Sequence, residues 1–239
     1  MAKITDYSGD IPKRIGNLVI YKLHDNLIVR TQSGFTSEAL LNDAKYAKIR
    51  NNATEFGNVS SLSKAVRMAL ALLLPKTNTL AVVNSFTKKM RELMNYDLVS
   101  VSGKRNLADA LKNPAGRAVL KDYDFNPNSR LDLGYTLNQN AITLETGSIV
   151  FAKQRSRIGF RTHVLSFDFT SREHQLESTA WHSYAKSELP QRIELPLAGI
   201  AETERIKFTL LETYFYTAAE QNVEGNDGLK SLKIIDITP

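Results

Sequence analysis

Between residues 17 and 31 the chain reads "NLVIYKLHDNLIVRT", apolar and polar positions alternating on both sides of His24-Asp25-Asn26. A period of two broken by residues that tolerate turn conformations predicts a β-hairpin. From about Asn42 the period changes to near 3.6. Tyr46, Ile49, Ala53 and Phe56 share one helix face, and Gly57 permits a bend or stop. Val59, Leu62, Val66, Ala69, Leu70 and Leu73 continue an apolar stripe as far as Pro75, and a third helix is expected from about Thr77. A short helix follows over Leu107 to Lys112. Asn113-Pro114 opens another, with Asn as N-cap and Pro at the first helical position.

"DYDFNPNSR" (122 to 130) clusters turn formers, and after it the pattern is strand-like to the end. The candidates are "LDLGYTLN", "AITLE", "SIVFAK", "THVLSFDFT" (162 to 170), "STAWHSYAK" (178 to 186), "RIELPL", "RIKFTLLETYFYT" and "SLKIIDI". Short strands between turn signals predict an antiparallel, immunoglobulin-like β-sandwich. The fold class is therefore α+β. A hairpin and small helical bundle (1–125) precede a sandwich module (126–239).

The last two strands carry apolar residues on both faces. Ile206, Phe208, Leu210, Tyr214 and Tyr216 lie on one side, interrupted by Glu212; Leu211 and Phe215 lie on the other. In the final strand Leu232 and Ile234 face one way, Ile235 and Ile237 the other. The first of these faces is expected to be the sandwich core; one sandwich interior covers one face, so the second, with Leu211 and Phe215, is left for the helical module or for another subunit. Phe215, Ile235 and Ile237 are the candidate contacts for assembly.

Composition leaves this picture intact. Of 239 residues, 42% are hydrophobic and 23% charged, values ordinary for a globular chain. There is no cysteine, which removes thiol nucleophiles and Cys-ligated metals. The first residues lack an apolar leader-like run and "MALALLLP" is too short to cross a bilayer, so the default expectation is cytoplasmic, with an assembled extracellular or virion-like particle as the alternative. Net charge is +6 and uneven. Residues 1–125 hold 19 Lys/Arg against 11 Asp/Glu, and residues 126–239 hold 12 against 14.

The ordered pieces "IGNLVIYKLHDNLIVRT", "DAKYAKIRNNATEFG", "LMNYD", "GKRNLADAL" and "VLKDYDFNPNSRL" resemble a family of proteins of unknown function frequent in Bacteroidota genomes. The resemblance covers about the first 135 residues and, more loosely, the final strand. It implies a helical module joined to a sandwich-like module, and no substrate, cofactor or catalytic residue.

Chemistry is sparse in the sequence. His24, His163, His174 and His182 form no metal-binding spacing, and no nucleophile elbow or phosphate loop is present. His163 and Asp168, five apart on one strand, point to opposite faces. Lys153, Arg155, Arg157 and Arg161 in "KQRSRIGFR" suggest a loop that grips an anionic partner. Trp181 reads as a core residue, with a sugar-stacking platform beside Tyr184 as the alternative. The sequence thus predicts a non-enzymatic structural or interaction protein without cofactors, acting through self-association or a protein partner. The alternative is a nucleic-acid-associated protein using Lys45, Lys48, Arg50, Lys88, Lys89, Lys104 and Arg105, against which stand the interleaved acidic residues and the absence of outward aromatics.

Overall fold

The fold is that of a computed structural model describing residues 2–4, 13–32, 36–76, 79–126, 128, 129, 131, 133–151, 155–199, 204–217 and 230–239. Its contacts divide the chain into two compact units, Met1–Arg50 and Asn51–Pro239.

The first unit holds the predicted hairpin, β3 (Leu18–Leu23) and β4 (Asn26–Thr31), within a four-stranded antiparallel sheet. Strands β1 (Ala2–Ile4) and β2 (Arg14–Ile15) complete the order β1-β4-β3-β2. His24 takes the left-handed conformation (φ 52°) that the tight connection demands. Two short helical elements then follow, at the start of the stretch from 32 to 122 that the sequence reads as helical. These are α1 (Ser37–Asn42), capped by the Thr36 hydroxyl on the Ala39 amide, and a 3₁₀ turn over Ala44–Tyr46.

In the second unit α2 (Ala47–Ala69, begun in the first) runs unbroken through Gly57, which permitted a bend or stop. A helix-interior glycine costs about 1 kcal/mol against alanine, and burial of Val59 and Val66 beyond it outweighs that cost. Helices α3 (Thr79–Met94), α4 (Leu107–Lys112) and α5 (Pro114–Leu120) follow the predicted pattern, and the Asn113 side chain caps α5 as expected. Where α4 turns into α5, a Cβ on Gly116 would lie 2.1 Å from the Ala110 carbonyl oxygen. Only glycine fits that crossing.

The strands form two sheets. The smaller has the order β10-β6-β5, from β5 (Gly134–Leu137), β6 (Ala141–Glu145) and β10 (Arg192–Pro196). The larger has the order β12-β11-β7-β8, with β9 also paired to β7. Its members are β7 (Arg157–Phe167), β8 (His174–Ser178), β9 (His182–Ala185), β11 (Ile206–Tyr216) and β12 (Lys230–Thr238). All pairings are antiparallel, which gives the predicted α+β architecture of hairpin, helices and sheets.

The large sheet is covered on both faces. Ile142, Leu144, Ile193 and Leu195 of the small sheet meet Ile158, Phe160, Leu211, Phe215 and Ile235 on one side. Val66, Phe86, Leu93, Leu111 and Leu120 of the helices meet Leu165, Phe167, Phe208, Leu210 and Leu232 on the other. The helices therefore have no separate core. That is why the compact division falls at residue 50 and not at residue 125.

The segment read as a boundary, Asp122 to Asn126, instead lies along β12. The Asp122 and Phe125 amides donate to Ile234 and Leu232 carbonyls at 2.8 and 2.9 Å, and the Ile234 amide donates to Tyr123 at 2.9 Å. Asp124 accepts from the Ser231 hydroxyl at 2.6 Å, and the Asn126 side-chain amide donates to the Lys230 carbonyl. Part of the strand edge that looked open in the sequence is thus occupied by this chain's own backbone.

Strand limits also differ from expectation. Ile149 and Phe151 of "SIVFAK" lie in irregular structure, their side chains filling the edge of the sandwich core. "STAWHSYAK" divides between β8 and β9, with Trp181 in the connection.

Candidate functional site

The three residues expected to form an assembly surface are buried inside the chain. Phe215 and Ile235 belong to the sandwich core and Ile237 to the core shared with the helices. The face assignment of Ile237 is corrected by a β-bulge. Thr209 of β11 pairs with Asp236 and Leu210 with Ile234, so Ile235 is the extra residue. One inserted residue reverses the alternation beyond it.

The arginine loop is likewise redrawn. Lys153 lies outside the described residues. Arg155 is half-buried, while Arg157 and Arg161 are paired residues of β7, which starts five residues earlier than predicted. Arg161 has partners within the chain. Its Nε donates to Glu212 at 2.6 Å and its guanidinium lies over the Trp181 ring, 4.6 Å from the centroid. Trp181 is half-buried against Gly159 and belongs to neither core.

Several of the basic residues singled out for nucleic acid are engaged within the chain. Lys45 pairs with Asp43, Lys89 with Glu92 and Arg105 with Glu55, while Arg50 donates to the Leu40 and Asp43 carbonyls. Arg91 lies 5.1 Å over the Phe56 ring. Lys48, Lys88 and Lys104 are exposed.

Two arrangements stand out that sequence reasoning had passed over. The first is the loop after α3. Leu98, Val99 and Val101 are 80%, 87% and 67% exposed, yet the backbone carrying them is held from below by buried side chains. Asp97 accepts from the amides of Val99, Ser100 and Asn106 at 2.9–3.1 Å. Glu55 accepts from the Gly103 amide at 2.6 Å and from Arg105 through both oxygens. Asn51 donates to the Ser102 carbonyl at 3.1 Å. Gly103 has φ 94°, a conformation suited to glycine. Burial raises the Asp97 carboxyl, but its amide donors outweigh this and hold it below the ordinary value; Arg105 does the same for Glu55. Two ionised carboxylates thus fix a loop whose tip is apolar.

The second arrangement lies on the helix-facing side of the large sheet, past the reach of its apolar core. Glu212 of β11 is almost fully buried and meets three partners. Arg161 Nε and His163 Nε2 contact Oε2 at 2.6 and 2.8 Å, and Lys230 Nζ contacts Oε1 at 2.7 Å. Burial alone would raise this carboxyl, but His163, Lys230 and Arg161 together bring it down to about 2. His163 Nδ1 lies 2.7 Å from Ser178 Oγ on the neighbouring strand, where the two residues are directly paired. Burial keeps the imidazole below its usual pKa against the pull of Glu212. Glu212 reads in the sequence only as an interruption of an apolar face. Its partners are 18, 49 and 51 residues away on two neighbouring strands, β12 and β7, and only the sheet brings them together.

Among the described residues, no group of three His, Asp or Glu side chains is placed to hold a metal ion, and no helix is long and apolar enough to cross a membrane. No family model, curated protein or solved structure matches the chain.

Proposed function

We propose that the protein works by association, with the pinned loop from Leu98 to Val101 as its contact surface and a second copy of the chain as its partner. The observation that carries this reading is the combination of a fixed backbone with outward apolar side chains. A flexible loop would lose conformational freedom on docking, at roughly 1–2 kcal/mol per residue fixed. Here Asp97, Glu55 and Asn51 have already restricted it. An apolar tip is complementary to itself, so a two-fold arrangement sets Leu98 and Val99 of one copy against those of the other. The test is size-exclusion chromatography with light scattering over a concentration series at low and high salt. Multimers that persist in salt and dissociate on Val99→Asp support the reading. A monomer of 26.8 kDa under every condition overturns it.

A further inference from the structure

From the hydrogen-bonded order Ser178–His163–Glu212 we infer that Ser178 is an activated nucleophile able to accept an acyl group from a carboxylic ester. This departs from the non-enzymatic expectation of the sequence, and it does not depend on the association proposed above.

The protonation pattern follows from the partners. An ionised Glu212 can only accept, so His163 Nε2 carries the proton that it shares with Oε2 at 2.8 Å. Nδ1 is then left with its lone pair. The Ser178 hydroxyl, 2.7 Å away, donates to it. Nucleophile, base and orienting carboxylate are thus arranged as in a serine triad, with the two ring nitrogens exchanging roles. Arg161 and Lys230 keep the orienting carboxylate charged, and the imidazole is fully buried and fixed in its plane. Ser178, by contrast, is exposed on the outer strand β8. Ser171 and Ser183 are exposed on neighbouring segments without a histidine partner in this arrangement.

In the reaction Ser178 Oγ attacks the ester carbonyl carbon while its proton passes to His163 Nδ1. The imidazolium, still donating Nε2–H to Glu212, returns that proton to the departing alkoxide, and the C–O bond to the alcohol breaks. The acyl group stays on Oγ. Water attacking the acyl carbon loses its proton to Nδ1, releasing the carboxylic acid and restoring the serine.

The test is reaction of the intact protein with a fluorophosphonate probe and with p-nitrophenyl acetate, with the adduct located by peptide mass spectrometry. The expected result is modification confined to Ser178, absent in Ser178→Ala and slowed at least ~10²-fold in His163→Gln, the scale of general-base assistance. Ser171 and Ser183 are internal controls in the same molecule. If His163→Gln fails to fold, the rate at Ser178 relative to these two in the unmodified chain decides alone. No adduct, or an adduct at Ser178 no faster than at Ser171 and Ser183, overturns the inference. So does an unchanged rate in a folded His163→Gln.

Discussion

Ile234 and Ile237 stand three apart on β12, yet both side chains enter the core between the sheet and the helices, because the extra residue at Ile235, itself in the sandwich core, reverses the alternation between them. A single strand therefore serves two cores. Truncating either Ile235 or Ile237 to alanine is expected to cost about 2–5 kcal/mol. Urea denaturation measures that loss, and light scattering on the folded fraction should show no change in assembly. A change in assembly with unaltered stability would place these residues at a surface.

Glu55 and Arg105 carry the loop below Leu98. Arg105→Ala leaves a buried carboxylate with only the backbone amides of residues 103 and 105 as partners and should destabilise the protein by about 1–3 kcal/mol. Amide exchange at Gly103 should accelerate while that of Phe86 and Leu93 does so only through the global loss. Equal acceleration everywhere would mean that the pair supports the whole helical layer.

The Glu212 cluster gives the protein two acid-sensitive windows. The unfolded chain takes up a proton on histidine near pH 6.5 that folded His163 resists, so this stability is complete above pH 6.5 and declines as the pH falls below it. Glu212 adds a second term, complete above its ordinary value of 4.5 and lost as the pH falls toward about 2, worth ~3 kcal/mol. Denaturation midpoints measured downward from about pH 8 should show both. His163→Gln should remove the first window. Glu212→Gln should lower stability near neutrality and flatten the second.

Asp124 fastens the segment that runs along β12. Asp124→Ala removes acceptors for Ser231, Leu232 and Asn126, a loss of about 1–3 kcal/mol. Release of that segment would open the strand edge, and open edges pair with other chains. Concentration-dependent association that is absent in the parent is the expected outcome. A destabilised variant that stays as the parent does would show that the edge is protected by other means.

Much of the fold was legible because local signals suffice for it. Asn113-Pro114 announces α5 through cap chemistry, and the alternation in "IKFTLLETYF" separates the two faces of β11, although the face expected inside the sandwich, Ile206, Phe208 and Leu210, packs on the helices, and Leu211 and Phe215 fill the sandwich. The bulge at Ile235 was not legible, since an extra residue shows only against a partner strand. Trp181 was placed in a strand because its neighbours have β propensity, whereas the chain crosses there from β8 to β9. The candidate sites were hidden for a related reason. Asp97 and Glu55 look like ordinary solvated acids until the backbone amides they hold are seen. Glu212, His163 and Ser178 share no spacing that a motif could encode.

The position of β12 also bears on how the molecule comes into being. Residues 230–238 complete the sandwich interior, the helix-facing core and the docking edge for Asp122 to Phe125. A ribosome adding ~5–20 residues per second exposes the helices and the other strands well before this one. For those seconds the edge of β11 lacks its partner strand and both cores lack the side chains of β12, and the nascent chain has reason to meet chaperones there.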